Sequence, residues 1–321
     1  MSEGLFQELG HGVTLIETGF QRSGLAASYL VEEGGHAAFV ETGTSLSVPG
    51  LLQALEERGV PREAVDYVIP THVHLDHAGG AGELMSHLPN ASLVIHPRGS
   101  RHMIDPSKLI AGATAVYGEE EIRRSYGTIV PVPAERVIEA PDGAQVDLNG
   151  RALRFLDTPG HASHHFCVVD EQGRGIYTGD TFGISYREFD TENGPFIFPT
   201  TTPVQFDPDA LHASIDRLVG EGLDYMYLTH YGRVAEPGRL SEGLHEQIDR
   251  FVAMGRELAD AGEARHGMLT ERLMEELLGR LARHGCRLPE SLQEDLLAMD
   301  VELNVQGLEV WLDRQAQNAA R

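Results

Sequence analysis

Residues 71–77 read Thr-His-Val-His-Leu-Asp-His, so four side chains able to hold a metal fall within six positions: His72, His74, Asp76 and His77. Transition metals take imidazole nitrogen and carboxylate oxygen from a rigid base. A short apolar strand over residues 65–70 runs straight into this segment. Residues two apart in an extended chain face the same way, so His72 and His74 point together. A turn after Leu75 aims Asp76 and His77 at a second point nearby. Three further strand ends each carry one ligand-type residue: Gly160-His161 after 152–157, Gly179-Asp180 after 175–178, and His230 after 223–228. Sheets of α/β proteins put their sites at strand ends, so the repeated placement points to one metal site. His212, His245, His266 and the remaining histidines show no ligand spacing, and His164 reads as a solvated neighbour.

Positioning these residues takes a particular run of elements. Residues 13–17, 26–31 and 37–41 are β-rich, with Gly34-Gly35 as a hairpin signal. Residues 49–58 read as a helix, with Leu51, Leu52 and Leu55 at helical spacing and Gly59 past its end. A strand follows over 92–96. Residues 106–135 read as a turn-rich insertion, with 106–130, including Tyr117 and Tyr126, as a lid. A second set of strands covers 136–139, 144–148, 152–157, 166–170 and 175–178, and helix 208–219 precedes strand 223–228. From about Gly238 strand signals vanish, and Gly285 and Pro289 punctuate three or four helices. Two strand-rich halves, each followed by helices, imply an α/β class with two sheets packed face to face. The expected division is a catalytic domain over 1–237 and an α-helical extension over 238–321.

The ordered set His72-x-His74-x-Asp76-His77, Gly160-His161, Gly179-Asp180 and His230 resembles the fingerprint of the metallo-β-lactamase fold hydrolases, over residues 10–235. The resemblance implies a four-layer αββα sandwich with a two-metal site at one edge of the sheets. It implies that His72, His74 and His161 hold one ion, that Asp76, His77 and His230 hold the other, and that Asp180 bridges them. His165 matches a second histidine that often follows the Gly-His, and would support a ligand from behind. The implied cofactors are two divalent ions, zinc first, with iron or manganese as alternatives. Ions about 3.5–4 Å apart share a water and bring its pKa toward 7, which supplies hydroxide for attack on an electrophilic carbonyl or phosphorus. Asp76 would orient that nucleophile, and the Tyr231 hydroxyl would donate to the developing oxyanion. Phe182, Tyr186, Phe196 and Phe198 are expected to line the pocket with Tyr231.

Departures from the subfamilies narrow the class. Secreted lactamases of this fold carry an export signal, and many have Cys where this chain has Asp180. Flavodiiron reductases favour Glu at the position of His74. Glyoxalase-II-type enzymes follow the bridging Asp with a Cys-Gly-Arg-containing stretch, whereas Thr181-Phe182-Gly183-Ile184-Ser185-Tyr186 stands here. A small thioester or lactone remains as the expected substrate. The alternatives are a mononuclear-iron sulfur dioxygenase or a non-catalytic ligand sensor on the same scaffold, with the helical tail as a docking surface or a homodimer interface.

Composition sets the boundaries. Lys+Arg number 25 against 49 Asp+Glu, a formal net charge of −24. That balance argues against nucleic-acid partners, which need a basic footprint, and against anionic membranes. The N-terminal residues lack a basic start followed by an apolar run, so they do not read as a signal peptide. No stretch approaches the roughly 18 apolar residues of a membrane span. Cys167 and Cys286 belong to no CxxC pair, which suits a reducing, cytoplasmic setting.

Overall fold

Alternation of apolar side chains in the first strands decides which way they face. The computed structural model of the chain describes residues 5–201 and 204–319. Strands β1 (Phe6–Gly10), β2 (Val13–Glu17), β3 (Ala27–Glu33) and β4 (His36–Val40) are antiparallel neighbours in chain order. Helix α1 (Val48–Arg58) leads to β5 (Val65–Ile69), and α2 (Leu75–Ala78) and α3 (Ala81–Ser86) lead to β6 (Ser92–Ile95). Helices α4 (Ser100–Ile104), α5 (Ser107–Tyr117) and α6 (Glu119–Tyr126) lead to β7 (Val137–Glu139). From β4 onward each new strand is parallel to the last. Parallel neighbours need a long crossover, usually helical, which is what α1 to α6 supply. The sheet order is β1-β2-β3-β4-β5-β6-β7.

The second sheet opens as an antiparallel meander of β8 (Gln145–Leu148), β9 (Arg151–Asp157), β10 (Phe166–Asp170) and β11 (Gly175–Gly179). Helix α7 (Pro208–Gly220) precedes β12 (Tyr225–Leu228), parallel to β11, and β13 (Gly232–Ala235) closes the edge antiparallel to β12. Three helices end the chain: α8 (Pro237–Glu257), α9 (Arg265–His284) and α10 (Glu290–Ala319). Among the described residues no helix is long and apolar enough to cross a membrane.

Two compact units interleave along the sequence. One comprises Met1–Asp157, His164–Gly179 and Leu223–Ala235; the other comprises Thr158–Ser163, Asp180–Gly222 and Glu236–Arg321. The first unit holds both sheets. Val13, Leu15, Tyr29, Val31, Ala38 and Val40 pack in one core with Leu153, Phe155, Phe166, Val168, Tyr177 and Tyr227 of the second sheet. Their sequence neighbours Ile16, Leu30, Ala37 and Phe39 face the other way and pack with Leu51 and Leu55 of α1 and Leu84 and Met85 of α3. The period of two thus sends alternate residues into two cores. A strand buried on both faces reads as a continuous apolar run, as these do.

A buried charged pair on β9 and β10 of the second sheet also reaches the first. Arg151 and Asp170 are both fully buried, and Arg151 Nε donates to Asp170 Oδ1 at 2.9 Å. Tyr177 Oη and the Gly173 amide also donate to the carboxylate, at 3.2 and 2.9 Å. Arg151 Nη1 donates to the His11 and Glu32 carbonyls at 2.8 and 3.2 Å, tying the turns of the first sheet to β9. Burial and the Asp170 charge push the Tyr177 hydroxyl well above its ordinary pKa.

The second unit is mainly helical. Leu269, Leu273, Leu277 and Leu281 of α9, four apart, form one buried ridge, the row by which helices interlock. Leu297, Val301, Val305 and Leu308 of α10 are buried too. Strands β1 and β13 stand where the sequence carries no strand expectation, and the segment read as a turn-rich insertion contains α5 and α6. The Tyr117 side chain, part of the expected lid, lies outside the described residues, while the Tyr126 ring lies 5.4 Å from that of Phe20. Phe182, Tyr186, Phe196 and Phe198 are buried, the rings of Tyr186, Phe196 and Phe198 pack with that of Phe189, and Tyr186 Oη donates to Asp300 at 2.9 Å. Tyr186 and Phe198 are core, whereas Phe196 also meets the His284 ring at 5.5 Å and lines a cavity with Leu240 and Gln247.

Candidate metal centre

Beyond the end of β5 the chain bends at Thr71 and His72, is extended again at His74 (φ −62, ψ 147), and turns into α2 at Leu75. His72 and His74 bring their ring centroids to 4.3 Å. The first turn of α2 then presents Asp76 and His77. From the end of β12 comes His230, whose Nε2 lies 3.4 Å from Asp76 Oδ2, and His77 Nε2 lies at the same distance from that oxygen. One donor atom from each of Asp76, His77 and His230 lies within 4.8 Å of the others.

The ring nitrogens turned away from this point fix the protons. His77 Nδ1 lies 3.0 Å from the Glu41 carboxylate, and His230 Nδ1 lies 2.8 Å from the Leu25 carbonyl. Each Nδ1 donates to its acceptor, so in the neutral ring each Nε2 carries the lone pair. For His72 the count runs through Thr71. The Thr71 hydroxyl donates to Glu41 Oε1 at 2.6 Å, so His72 Nδ1, 3.1 Å away, donates to it and Nε2 is again the lone pair. In that state two imidazole lone pairs face one carboxylate oxygen, each 3.4 Å from it, a donor set that can take a cation. Ligating histidines commonly donate their other N–H to a carboxylate or carbonyl in this way, so this donor set fits a divalent ion. When protons take those positions instead, burial raises the Asp76 carboxyl. The His77 charge and the bonds from His230 and His77 outweigh that and hold it well below the usual carboxylate range.

Glu41 is the residue that sequence reasoning missed. It stands one position past β4 with a left-handed backbone (φ 65) and is buried. Besides His77 Nδ1 and Thr71 Oγ1, it accepts from the Thr71 amide at 3.1 Å and from Thr229 Oγ1 at 3.0 Å. One carboxylate thereby gathers the ends of β4, β5 and β12. The available signal was an acid closing an apolar strand, since Glu is almost never buried without partners.

His164 and His165 stand behind the loop. The His165 ring lies 4.8 Å from that of His72 and nearly parallel to it. A Cβ on Gly179 (φ 50) would come within 2.5 Å of His165 Nε2 and 2.4 Å of Thr71 Oγ1, which is why glycine precedes Asp180. His164 is corrected from a solvated residue to a buried one. Burial, then the nearby His74 and His102, push its pKa down to about 3, so it is a neutral imidazole.

In the second unit, His161 Nε2 lies 3.3 Å from Asp180 Oδ2, and both residues are buried. The loop before His161 is pinned to α7. Ser214 Oγ donates to the Pro159 carbonyl at 2.6 Å, and the Asp207 amide donates to Gly160 O at 2.8 Å. A Cβ on Gly160 (φ 129) would strike the Leu211 backbone at 2.4 Å. Of the expected site residues, then, Asp76, His77 and His230 converge in the first unit with His72 and His74 beside them, and His161 pairs with Asp180 in the second. Tyr231 is half-buried against the inter-sheet core.

The family model described as the metallo-beta-lactamase superfamily matches residues 22–230. The chain belongs to the metallo-beta-lactamase superfamily. A metallo-beta-lactamase fold-containing protein of Sulfurisphaera tokodaii is 28% identical over 192 residues, 59% of this chain and 68% of that protein. An atrochrysone carboxyl ACP thioesterase of Aspergillus chevalieri is 29% identical over 164 residues, 50% of this chain and 41% of its own length. The chain therefore spans less than half the length of that fungal relative. A solved metallo-beta-lactamase family protein of Thermus thermophilus superposes with a TM-score of 0.65 at 20% identity, covering 96% of this chain and 95% of that one. The metallo-beta-lactamase fold of this chain is thus an α/β architecture of two mixed sheets with flanking helices and a helical C-terminal region.

Proposed function

We propose that this chain is a metallo-hydrolase acting on a small thioester or lactone, with the catalytic domain over residues 1–237 and the helical extension over 238–321. The carrying observation is the convergence of Asp76 Oδ2, His77 Nε2 and His230 Nε2 at 3.4 Å with their outer nitrogens already engaged. In this reading His72, His74 and His161 would hold one divalent ion, Asp76, His77 and His230 would hold a second, and Asp180 would be shared between them. The donors are all nitrogen and oxygen, which suits zinc, with iron or manganese as the alternatives. Two such ions supply Lewis acidity and a water whose pKa is brought toward 7.

The chain's own residues do the remaining work. Glu41 holds the His77 ring in one tautomer and one orientation. Asp76, partly open to solvent, would orient the attacking water. The Tyr231 hydroxyl donates to the oxygen that gains charge as the acyl bond opens. Two fungal relatives are named thioesterases, and this supports the thioester arm of the reading. The test is a panel of acyl thioesters and lactones with wild type, His74→Ala and Asp180→Ala. Both variants stay folded and lose hydrolysis at least a hundredfold; near-full activity in both overturns the assignment. Oxygen uptake with a persulfide on the iron-loaded chain, without hydrolysis, would replace this reading by the dioxygenase one.

A further inference from the structure

A second set of histidines in the helical unit shares no residue with the metal set above. His212 and Asp216 stand one turn apart on α7, and His245 and Asp249 stand one turn apart on α8. The pairs interlock across the two helices. His212 Nε2 lies 3.2 Å from Asp249 Oδ1, and His245 Nε2 lies 3.0 Å from Asp216 Oδ1. The two Nδ1 atoms face each other at 2.6 Å. The ring planes differ by only 17° with centroids 4.9 Å apart. That separation exceeds the nitrogen contact by about two ring radii, so the rings meet edge to edge and nearly coplanar.

The proton count follows from the acceptors. An ionised carboxylate only accepts, so each Nε2 keeps its proton and each Nδ1 presents its lone pair. Two lone pairs in line at 2.6 Å need a cation between them, and a single shared proton fits that gap. We propose that the pair is a metal site bridging α7 and α8, which exchanges this proton for one divalent transition ion of the zinc, nickel or copper type. Three features support it. Both rings are oriented by carboxylates through the other nitrogen, the arrangement that prepares imidazole for a metal. The donors are imidazole nitrogens, which these ions prefer. The rings are about a quarter exposed, at 25% and 26%, so an ion and its waters can enter from solvent.

Bonds of 2.0–2.1 Å to one tetrahedral ion put the two nitrogens roughly 3.3 Å apart, so they separate by less than about 1 Å while each ring turns off the shared line to aim its lone pair at the ion. Leu211 and Ile215 on α7 and Leu244, Ile248 and Phe251 on α8 are buried and keep the helices still while they do. On binding, two nitrogen–metal bonds form, the shared N–H bond breaks, and one proton leaves to solvent.

The test compares wild type with His212→Gln/His245→Gln, both stripped of metal and titrated with zinc. Wild type holds one more zinc per chain than the double variant, releases one more proton, and gains thermal stability that the variant does not. Hydrolysis by the two proteins stays equal, which separates this outcome from any failure of the site proposed above. The same zinc count in both means that the pair carries a proton only, and overturns the proposal. Should the double variant fold poorly, His245→Gln alone, with copper resonance read for two equivalent nitrogens in wild type and their loss in the variant, decides it. A wild-type copper spectrum unchanged by the substitution counts against it.

Discussion

Glu41 has no place in the histidine motif, yet its carboxylate accepts from Thr71, His77 and Thr229 at once. Replacing it by Gln puts an amide N–H among donors and frees the His77 ring to turn. Loss of an orienting partner of this kind typically lowers metal affinity about 10- to 100-fold, and Glu41→Gln should fall in that range in a chelator competition while the chain stays folded. At the residue scale the ligand types were legible because His72 to His77 are crowded into one loop. Glu41 was not, because it precedes Thr71 by 30 residues and Thr229 by 188, and only the sheet brings them together. Gly179 was legible only as a motif letter; the reason for it is the space occupied by Thr71 and His165. Gly179→Ala places a methyl in that space on a left-handed backbone. It should cost about 2 kcal/mol or more of stability in urea unfolding, the scale of overpacking with backbone strain.

The elements were legible where periodicity was strong. Helix α1, strands β2, β5 and β6 and the long tail helices all follow from apolar spacing, whereas β1 has the mostly exposed sequence Phe6–Gly10 and pairs only along one side. Helices α5 and α6 were obscured by the Gly118 break and an unbalanced run of acids. Between α9 and α10 lies a charged clamp that gives a pH prediction. His266 Nδ1 lies 3.0 Å from Glu309 and Nε2 lies 3.1 Å from Glu302. The bond to Glu309 raises its pKa above the ordinary 6.5, burial opposes this, and the Glu302 charge adds to it. A group raised on folding stabilises fully below its unfolded pKa and loses that contribution as pH rises through the folded value. The clamp is half-exposed and screened by salt, so the effect is small. The difference in Tm between wild type and His266→Gln should be largest below pH 6, shrink above pH 7 and weaken in high salt. A difference constant from pH 5 to 9 would show that the clamp is not ionic.

On the scale of the whole molecule, the α/β class followed from two strand-rich stretches with helices after each. The interleaving of the units was not legible, because Thr158–Ser163 and Asp180–Gly222 join the helical unit through contacts far from them in sequence. Nor was the buried Arg151–Asp170 pair, since neither residue departs from its strand pattern in a way spacing reveals. Removing one partner strands the other charge in the core, at a cost of about 3–5 kcal/mol. Asp170→Ala should show that loss in equilibrium unfolding. The central claim, the proposed two-metal hydrolase, rests on the donors that the first unit brings together after β5 and β12. It is tested most directly by adding zinc stepwise to the metal-stripped His212→Gln/His245→Gln chain and following acyl-thioester and lactone hydrolysis at each step. The account predicts no hydrolysis without metal, and a rate that climbs and levels at two zinc ions per chain. A folded chain that hydrolyses equally well when stripped, or that binds fewer than two ions at saturation, would contradict it.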